Sequence, residues 1–388
     1  MQYFVQYSIG MKDIVGEALL ENWSSRKVKI LVGPRGSGKM DYLENVFIPF
    51  AHSRDASLRP FTLSARDGLV QTILDESEKC PHTLFLLKDI YLAKDYTAIA
   101  DTIASHPTAR LIATSNTFLP FGFEDRLNDP TWVPTAARGR ITKVFFPATI
   151  WTDYAQANPN KGVLDFLFSR SIDLGILERS IWASRSEKMK RVSAILLEYS
   201  GQILTNRLVQ RLYEKEFAES VSINTVINIA SLFKNHCLFY FVDRFDLKKD
   251  KVLASGSTVY PVTVAMFPEA LIDDASIAKR AEAELVGQWF YEGFQVYRAC
   301  HAKQSFDHGE RGFAMADDGF LLCKGAEKRL ASFAVRLNEE TVRSVKTIPS
   351  GYRKTIVVAE MSSSKAVLED GIEAISLERA LNGGLLHD

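Results

Sequence analysis

Short apolar runs alternate with amphipathic segments through the first third of the chain. Lys27–Val32 (KVKILV), Thr83–Leu87 (TLFLL) and Ala109–Ala113 (ARLIA) have the length and composition of buried strands. Met40–Phe47, which follows the first of them closely, has apolar residues at helical spacing. Strands that alternate with helices form parallel sheets, so this pattern predicts a parallel α/β sheet over residues 27–150.

A glycine-rich loop follows the first of these strands directly. The loop has the form GxxxxGK and consists of Gly33, Pro34, Arg35, Gly36, Ser37, Gly38 and Lys39, with Met40 as the first residue of the following helix. A strand, this motif and a helix are the context of a phosphate-binding loop, whose backbone N–H groups and lysine contact phosphate oxygens. The sequence therefore predicts that Gly33 to Met40 bind ATP or ADP.

Two features of this site depart from the pattern of a hydrolysing enzyme. Met40 stands where a phosphate loop normally has Ser or Thr, whose hydroxyl binds Mg²⁺, an ion that prefers oxygen ligands. Lys88 and a single acid, Asp89, follow the strand TLFLL, where an ATPase has one acid for Mg²⁺ and a second for the attacking water. We therefore expect Mg²⁺ to be weakly held and hydrolysis to be slow or absent. The alternative is that a water molecule replaces the missing hydroxyl and hydrolysis continues.

Polar residues beyond the third strand are further candidates for the nucleotide site. Ser115 and Asn116 follow the strand at 109–113 and are candidate γ-phosphate sensors, although simple hydrogen bonding at a strand end explains them equally well. Arg140 precedes the apolar run Ile141–Phe146 and is either a phosphate-stabilising arginine or a surface residue. The candidate catalytic residues are thus Asp89, Asn116 and Arg140.

Taken together, four segments resemble a family of bacterial and archaeal AAA+-like ATPases. The segments are LVGPRGSGK, LFLLKD, the strand that ends in TSN, and RGRITKVFFPATIWTDY. The resemblance implies that Lys39 contacts phosphate, that Asn116 or Ser115 is the sensor and that Arg140 lies near the nucleotide. It also implies four domains: a P-loop AAA+-like α/β domain (1–150), a helical lid (151–205), a winged helix (206–275) and an α/β restriction-endonuclease-like domain (276–388).

The pattern in the middle of the chain agrees with a winged helix. Arg207–Phe217 and Thr225–Asn235 are predicted helices, and Ser222 is the predicted N-cap of the second. A strand, a charged turn and a second strand are predicted for Cys237–Phe241, Asp243–Asp246 and Lys248–Lys251.

Winged helices bind duplex DNA with the second helix in the major groove and the hairpin near the backbone. The candidate contacts are Asn224, Thr225 and Asn228 on the helix and Lys248, Lys249 and Lys251 on the hairpin. The region from Arg185 to Lys215 adds seven Lys or Arg against three Glu. However, Lys234 is the only Lys or Arg of the second helix, so a protein-binding role is the alternative.

The C-terminal third has the element order of a restriction-endonuclease-like core. Its predicted elements are a helix at Ala281–Phe290 and strands at Phe294–Arg298, Gly312–Ala316, Gly319–Cys323 and Thr355–Val358. A nuclease of this kind needs two acids for Mg²⁺ and a lysine. By resemblance the acids belong at Gly312 and Leu322 and the lysine is Lys324. Only the lysine is present, so we expect a degenerate domain with no metal site and no nuclease activity.

Composition narrows the class of protein only slightly. Lys+Arg 47 against Asp+Glu 47 excludes a polybasic nucleic-acid coat protein, and 46% apolar residues are typical of a globular protein. No apolar run is long enough to cross a membrane, and the four cysteines show no paired spacing. We therefore expect a cytoplasmic protein without a membrane partner.

The preferred hypothesis is an ATP- or ADP-binding AAA+-like protein with impaired hydrolysis, whose nucleotide state regulates DNA- or protein-binding domains. One alternative is an active DNA-associated ATPase. The other is a scaffold subunit with a vestigial nucleotide site. The expected partners are nucleotide, duplex DNA and other protein subunits.

Overall fold

The structure, a computed structural model, divides the chain into two compact units. One comprises Met1–Ala148 with Asn235–Cys237, and the other comprises Thr149–Lys234 with Leu238–Asp388. The residues that the structure describes are 9–21, 28–34, 36–63, 68–90, 96–116, 141–146, 151–169, 186–268, 271–307, 310–348 and 351–385. Within these ranges, no helix has the length and apolar character needed to cross a membrane.

A five-stranded parallel sheet forms the centre of the first unit. The strands are β1 (Val28–Val32), β2 (Arg59–Leu63), β3 (Thr83–Leu87), β4 (Arg110–Ser115) and β5 (Ile141–Phe145). Their order across the sheet is β2-β3-β4-β1-β5, and every neighbouring pair is parallel. The α/β parallel sheet predicted from the alternating pattern is therefore confirmed.

In the described part of this unit, five helices accompany the sheet. They are α1 (Ile9–Leu20), α2 (Lys39–Tyr42), α3 (Ile48–Arg54), α4 (Leu69–Lys79) and α5 (Tyr96–Ser105), with a π-helical turn at Leu43–Phe47 between α2 and α3. The buried ammonium of Lys29 on β1 donates to the carbonyl oxygens of Ala18 (3.4 Å) and Glu21 (2.5 Å). These carbonyls lie at the C-terminal end of α1, where a cation is favoured because the last carbonyls have no partner within the helix.

The strand order places the glycine-rich loop at a reversal of the chain path. From β1 the chain crosses to the far edge at β2, returns through β3 and β4, and then passes to the other side of β1 as β5. In open α/β sheets, ligands bind beyond the carboxyl ends of the strands at such a reversal. The loop that leaves β1 therefore lies where this architecture forms binding sites.

The second unit begins with helices and a small antiparallel sheet. Its first elements are α6 (Trp151–Ala157), α7 (Val163–Leu167), α8 (Glu187–Glu198), β6 (Ile203–Leu204), α9 (Asn206–Phe217), α10 (Ile223–Asn235), β7 (Phe239–Asp246) and β8 (Lys251–Pro261). Strand β8 pairs antiparallel with both β6 and β7. The predicted N-cap of α10 is present, because the Ser222 hydroxyl accepts the backbone N–H of Thr225 at 3.1 Å.

The predicted position of the hairpin turn is wrong by several residues. Asp243–Asp246 belong to β7, and the turn occupies residues 247–250. Within the presumed turn Phe245 is buried, so this charged segment continues the strand. The turn begins after Asp246, whose carboxylate accepts the backbone N–H groups of Lys248 (3.0 Å) and Lys249 (3.2 Å).

The rest of the second unit extends this sheet to nine strands. The further elements are a 3₁₀ turn at Val264–Met266, α11 (Asp274–Tyr291), β9 (Gln295–Asp307), β10 (Glu310–Lys324), β11 (Glu327–Arg336), α12 (Glu339–Lys346), β12 (Arg353–Glu360), β13 (Lys365–Val367), a 3₁₀ turn at Glu369–Gly371, β14 (Glu373–Ser376) and α13 (Leu377–Leu381). The order is β13-β14-β12-β11-β10-β9-β7-β8-β6. Strand β10 pairs antiparallel with both β9 and β11, whereas β12 pairs parallel with both β11 and β14.

The prediction of two strands at Gly312–Ala316 and Gly319–Cys323 is also wrong. Both segments lie in β10, and the third antiparallel strand is β11, which the sequence analysis missed. A bulge between Asp317 and Gly319 joins the two halves. Gly319 has φ +91°, and a Cβ there would lie 2.5 Å from the Ala331 carbonyl oxygen. Gly319 is thus required inside a bulged strand.

Candidate functional site

Close backbone contacts fix the start of the glycine-rich loop. The Gly33 N–H donates to the Ser115 carbonyl (3.1 Å), and the Phe146 N–H donates to the Val32 carbonyl (2.6 Å). A Cβ on Gly33 would lie 2.1 Å from the Phe146 carbonyl oxygen, so a side chain does not fit. Gly36 (φ +92°) and Gly38 (φ +82°) are left-handed, which glycine adopts without steric cost. The three glycines of the motif are thus explained by two steric requirements, close backbone approach at Gly33 and left-handed backbone at Gly36 and Gly38.

Lys39 places its side chain back inside this loop. Its Nζ donates to the carbonyl oxygens of Gly33 (3.0 Å) and Pro34 (2.7 Å) and lies 3.4 Å from the Ser37 hydroxyl. The residue is 7% exposed. Burial lowers the pKa of Lys39 to about 8, although the nearby negative charge of Asp89 opposes this shift.

This arrangement suits an anionic ligand. The three oxygen atoms that Lys39 contacts are uncharged, so they compensate its charge only in part. Phosphate oxygens would bring full negative charges to the same ammonium, and charge-assisted hydrogen bonds are about twice as strong as neutral ones. The site therefore has a buried cation that a phosphate would stabilise.

The end of β3 carries Lys88 and Asp89. The Lys88 side chain is exposed, whereas Asp89 is half-buried and has φ +52°. The Thr114 hydroxyl of β4 accepts the backbone N–H of Asp89 at 2.9 Å. Asp is one of the few residue types that adopt this left-handed conformation readily. The acid is thus held in one backbone position at the edge of the sheet where the loop begins.

Asn116 lies between the loop and Asp89 along this edge. Strand β4 pairs with β1 at Val32↔Ser115 and with β3 at Leu87↔Ala113. Asn116 is 7% exposed, and its Oδ1 has no hydrogen-bond partner among the described residues. A buried polar atom without a partner is rare and is costly to the fold. Within the described part of the chain, Asn116 thus keeps an acceptor available at this edge of the sheet.

The remaining residues predicted for this site are less informative. Met40 is half-buried in the first turn of α2 and brings a thioether where the motif usually brings a hydroxyl. Arg35 and Arg140 lie outside the described residues. The structure therefore brings together Gly33, Lys39, Asp89 and Asn116 at one edge of the sheet, and of these only Asp89 is acidic.

The residues proposed to contact DNA are accessible on the second unit. Asn224 and Asn228 are exposed on α10, and Lys248, Lys249 and Lys251 are exposed at the β7–β8 turn. Thr225 is half-buried, and its hydroxyl lies 2.9 Å from that of Ser222. The local cap at the start of α10 thus uses Thr225.

The β7–β8 hairpin is fixed to the C-terminal part of the sheet, which the sequence analysis did not foresee. Strand β7 pairs parallel with β9 from Arg244↔Arg298 to Asp246↔Cys300. Phe245 and Leu247 belong to one buried cluster with Leu321, Leu330 and other residues of the C-terminal sheet. Close to the turn, Lys328 on β11 forms an ion pair with Asp250 at 3.0 Å.

The three positions assigned by resemblance to a nuclease site share one strand. Gly312, Leu322 and Lys324 all lie on β10, and Leu322 is fully buried. The Lys324 ammonium donates to the Glu292 carbonyl oxygen at 2.7 Å and lies 5.4 Å from the centre of the Phe294 ring. Among the described residues there is no cluster of three or more His, Cys, Asp or Glu side chains that could hold a metal ion.

Glu292, which follows α11, is a buried acid beside Lys324. It is 3% exposed, and the Gln288 amide donates to its Oε1 at 2.8 Å. No hydrogen bond to its Oε2 is found within the described part of the chain. Burial raises the pKa of Glu292 to about 7, against the hydrogen bond from Gln288 and the charges of Lys324 and Arg329. A neutral carboxyl at this position is therefore preferred at acidic pH.

Comparison with known proteins adds little to this picture. No protein-family model matches the chain, and no curated protein matches it. The Aeropyrum pernix ORC1 protein, solved in complex with DNA, aligns at 13% identity over 65% of this chain and 87% of that chain, with a TM-score of 0.28. A chain of the E. coli MS115-1 HORMA:CdnC:Trip13 complex aligns at 15% identity over 57% of this chain and 85% of that chain, with a TM-score of 0.26. Rhizobiales Trip13 aligns at 15% identity over 57% of this chain and 86% of that chain, with a TM-score of 0.24. Such low TM-scores do not establish a shared fold.

Replacing Glu292 by glutamine should stabilise the second unit at neutral and alkaline pH. The native pKa is raised, so the native state binds more protons than the unfolded state between pH 4.5 and about 7, and stability falls as pH rises through this window. Glu292→Gln removes this penalty, so at pH 8 it should be more stable than the parent by roughly 3 kcal/mol and at pH 4.5 nearly equal. Urea unfolding at both pH values measures the difference. The exposed acid Glu340 provides the control Glu340→Gln, and an equal effect of the two substitutions would contradict the account.

Proposed function

We propose that the protein is an AAA+-like nucleotide-binding protein that binds ATP or ADP through residues Gly33–Met40. The observation that carries this proposal is the buried ammonium of Lys39, in a glycine loop at the carboxyl edge of a parallel sheet; among the described residues, its hydrogen bonds go to uncharged oxygens. Left-handed glycines in such loops help to form the concave set of N–H groups that binds anions. Lys39 would then contact the terminal phosphates, and Asn116 would sense the γ-phosphate through its side-chain amide.

Hydrolysis is impaired in this proposal because the donor set does not fit a magnesium site. Mg²⁺ requires oxygen ligands in near-octahedral geometry. Met40 supplies a thioether, Lys88 supplies a cation, and Asp89 is the one acid at the end of β3. If Asp89 holds the metal, no second acid follows it to activate water. We therefore infer that the bound nucleotide acts as a signal, and that its state regulates the DNA- or protein-binding parts of the chain.

Nucleotide affinity should decrease as pH rises through the pKa of Lys39. With a pKa of about 8, the lysine is mostly protonated at pH 7 and mostly neutral at pH 9, and only the protonated form attracts phosphate. The affinity of the parent relative to Lys39→Met should therefore fall by about tenfold between these pH values. At pH 7 the substitution itself should weaken ATP binding by about 1.5–3 kcal/mol. Calorimetric titration with ATP measures both quantities.

The ionisation of ATP also changes between pH 7 and pH 9, but it affects both proteins equally. The ratio of the parent's affinity to that of Lys39→Met therefore reports only the ionisation of Lys39. Lys79→Met, at an exposed lysine on α4, is the matched control and should bind like the parent. Equal affinity of Lys39→Met and the parent at pH 7, with both proteins folded, would refute phosphate binding by this loop.

A second candidate function is DNA binding by the first part of the second unit. This region has the order of a helix, a strand, two helices and a hairpin, formed by α8, β6, α9, α10, β7 and β8. Strand β8 pairs with both β6 and β7. We propose that this region is a winged helix, with α10 in the major groove and the β7–β8 turn near the phosphate backbone. The exposed lysines of the turn favour this function over the protein-binding alternative.

Binding to duplex DNA should be mainly electrostatic and therefore salt-dependent. Each phosphate contact that is lost changes the log–log salt slope by roughly 0.9. Replacing Lys248, Lys249 and Lys251 together by alanine should weaken binding to all sequences alike and flatten the slope by up to about three units. Gel-shift titrations at two salt concentrations measure this change. The triple arginine variant keeps the charges and should retain the slope. Failure of the parent to shift any duplex at ~50 mM salt would favour the scaffold function instead.

A further inference from the structure

A cavity of about 430 Å³ opens between α10 and the hairpin strand β8. Its lining is mainly apolar: Val192, Leu196, Val209, Val226 and Val259 are almost fully buried beneath it, whereas Ile227 and Phe241 are more exposed. These side chains come from helices α8, α9 and α10 and from strands β7 and β8, so most elements of the region contribute to its walls. Cavities of roughly 300–1,000 Å³ with a predominantly apolar lining are typical binding sites for small molecules.

Small residues on two facing elements leave this space open. Ala230 on α10 and Ala254 and Gly256 on β8 line the cavity. Gly256 has φ +74°, and a Cβ there would lie 3.0 Å from a methyl carbon of Ile203. Larger side chains at these positions would occupy the cavity, and Gly256 has backbone reasons to remain glycine. The opening thus follows from residue size on both walls.

The polar groups of the lining favour a negatively charged ligand. Among the described residues that line the cavity, Lys234 is the only one with a charged side chain, and it is exposed. Ser231 on the same helix and Asn206 at the start of α9 also line it and offer hydrogen-bonding groups. An apolar interior with one ammonium complements an apolar molecule that carries a single anionic group.

We propose that this cavity binds a small apolar anion, with a hydrocarbon or aromatic body against Ile227 and Phe241 and its carboxylate or sulfonate beside Lys234. The site is independent of the nucleotide loop, since every residue that lines it belongs to the second unit.

A fluorescent probe of this chemistry tests the proposal directly. 1-Anilinonaphthalene-8-sulfonate has an apolar aromatic body and one sulfonate, and its fluorescence rises in apolar surroundings. The folded full-length chain should bind it with a stoichiometry near one. Lys234→Met, which keeps most of the side-chain length and removes the charge, should weaken binding by about two- to fivefold, as for a single exposed ion pair. Ala230→Phe, which fills the cavity, should weaken it by about tenfold or more.

Matched variants separate this site from general surface binding. Lys215→Met and Ala194→Phe change exposed residues of α9 and α8 that do not line the cavity, and both should bind the probe like the parent. N-phenyl-1-naphthylamine has the same aromatic body without the sulfonate, so Lys234→Met should not change its affinity. Circular dichroism confirms that each variant is folded. Equal affinity of Ala230→Phe and Ala194→Phe for 1-anilinonaphthalene-8-sulfonate would show that the cavity is not the site. Equal affinity of Lys234→Met and Lys215→Met for it would likewise show that the proposal is wrong.

Discussion

The buried ammonium of Lys39 is the constraint on which the proposed nucleotide site depends. A lysine at 7% exposure must be compensated, and the carbonyl groups of Gly33 and Pro34 do this by turning toward it. The loop can take this shape because Gly33 has no side chain where the backbone of Phe146 approaches, and because Gly36 and Gly38 adopt left-handed conformations without steric cost. Neutral carbonyls compensate the charge incompletely, and this is why we propose an anionic ligand for the loop.

The second unit is organised by the pairing of β7 with β9. This contact joins a helical region and a hairpin to the C-terminal strands, so nine strands form one sheet. Phe245 and Leu247 are buried among residues of the C-terminal strands, and moving the hairpin away would expose them. A hairpin fixed in this way presents Lys248, Lys249 and Lys251 from a rigid base, which reduces the entropy lost when a charged ligand binds.

Local patterns predicted the parts of the fold that local physics determines. The strands beside the glycine loop are continuous apolar runs, because both faces of a parallel sheet are buried, and the loop's chemistry is carried by adjacent residues. Contacts between distant segments were not predictable. The close approach of β11 to Gly319 is not encoded nearby in the sequence, and Lys324 resembles a catalytic residue until the Glu292 carbonyl oxygen is seen to accept its hydrogen bond. The burial of Asn116, with no described partner for its Oδ1, is likewise visible only in three dimensions.

Calorimetric titration of the protein with ATP, first with Mg²⁺ and then with EDTA and with an assay of released phosphate, tests the proposed site most directly. In that site Lys39 and the glycine loop attract phosphate, and Met40 and Lys88 give the metal no oxygen ligand. We therefore expect measurable binding of similar affinity in both titrations and no appreciable phosphate release. Turnover in the ~1–100 s⁻¹ range of ordinary phosphoryl-transfer enzymes, abolished by EDTA together with binding, would contradict the proposal.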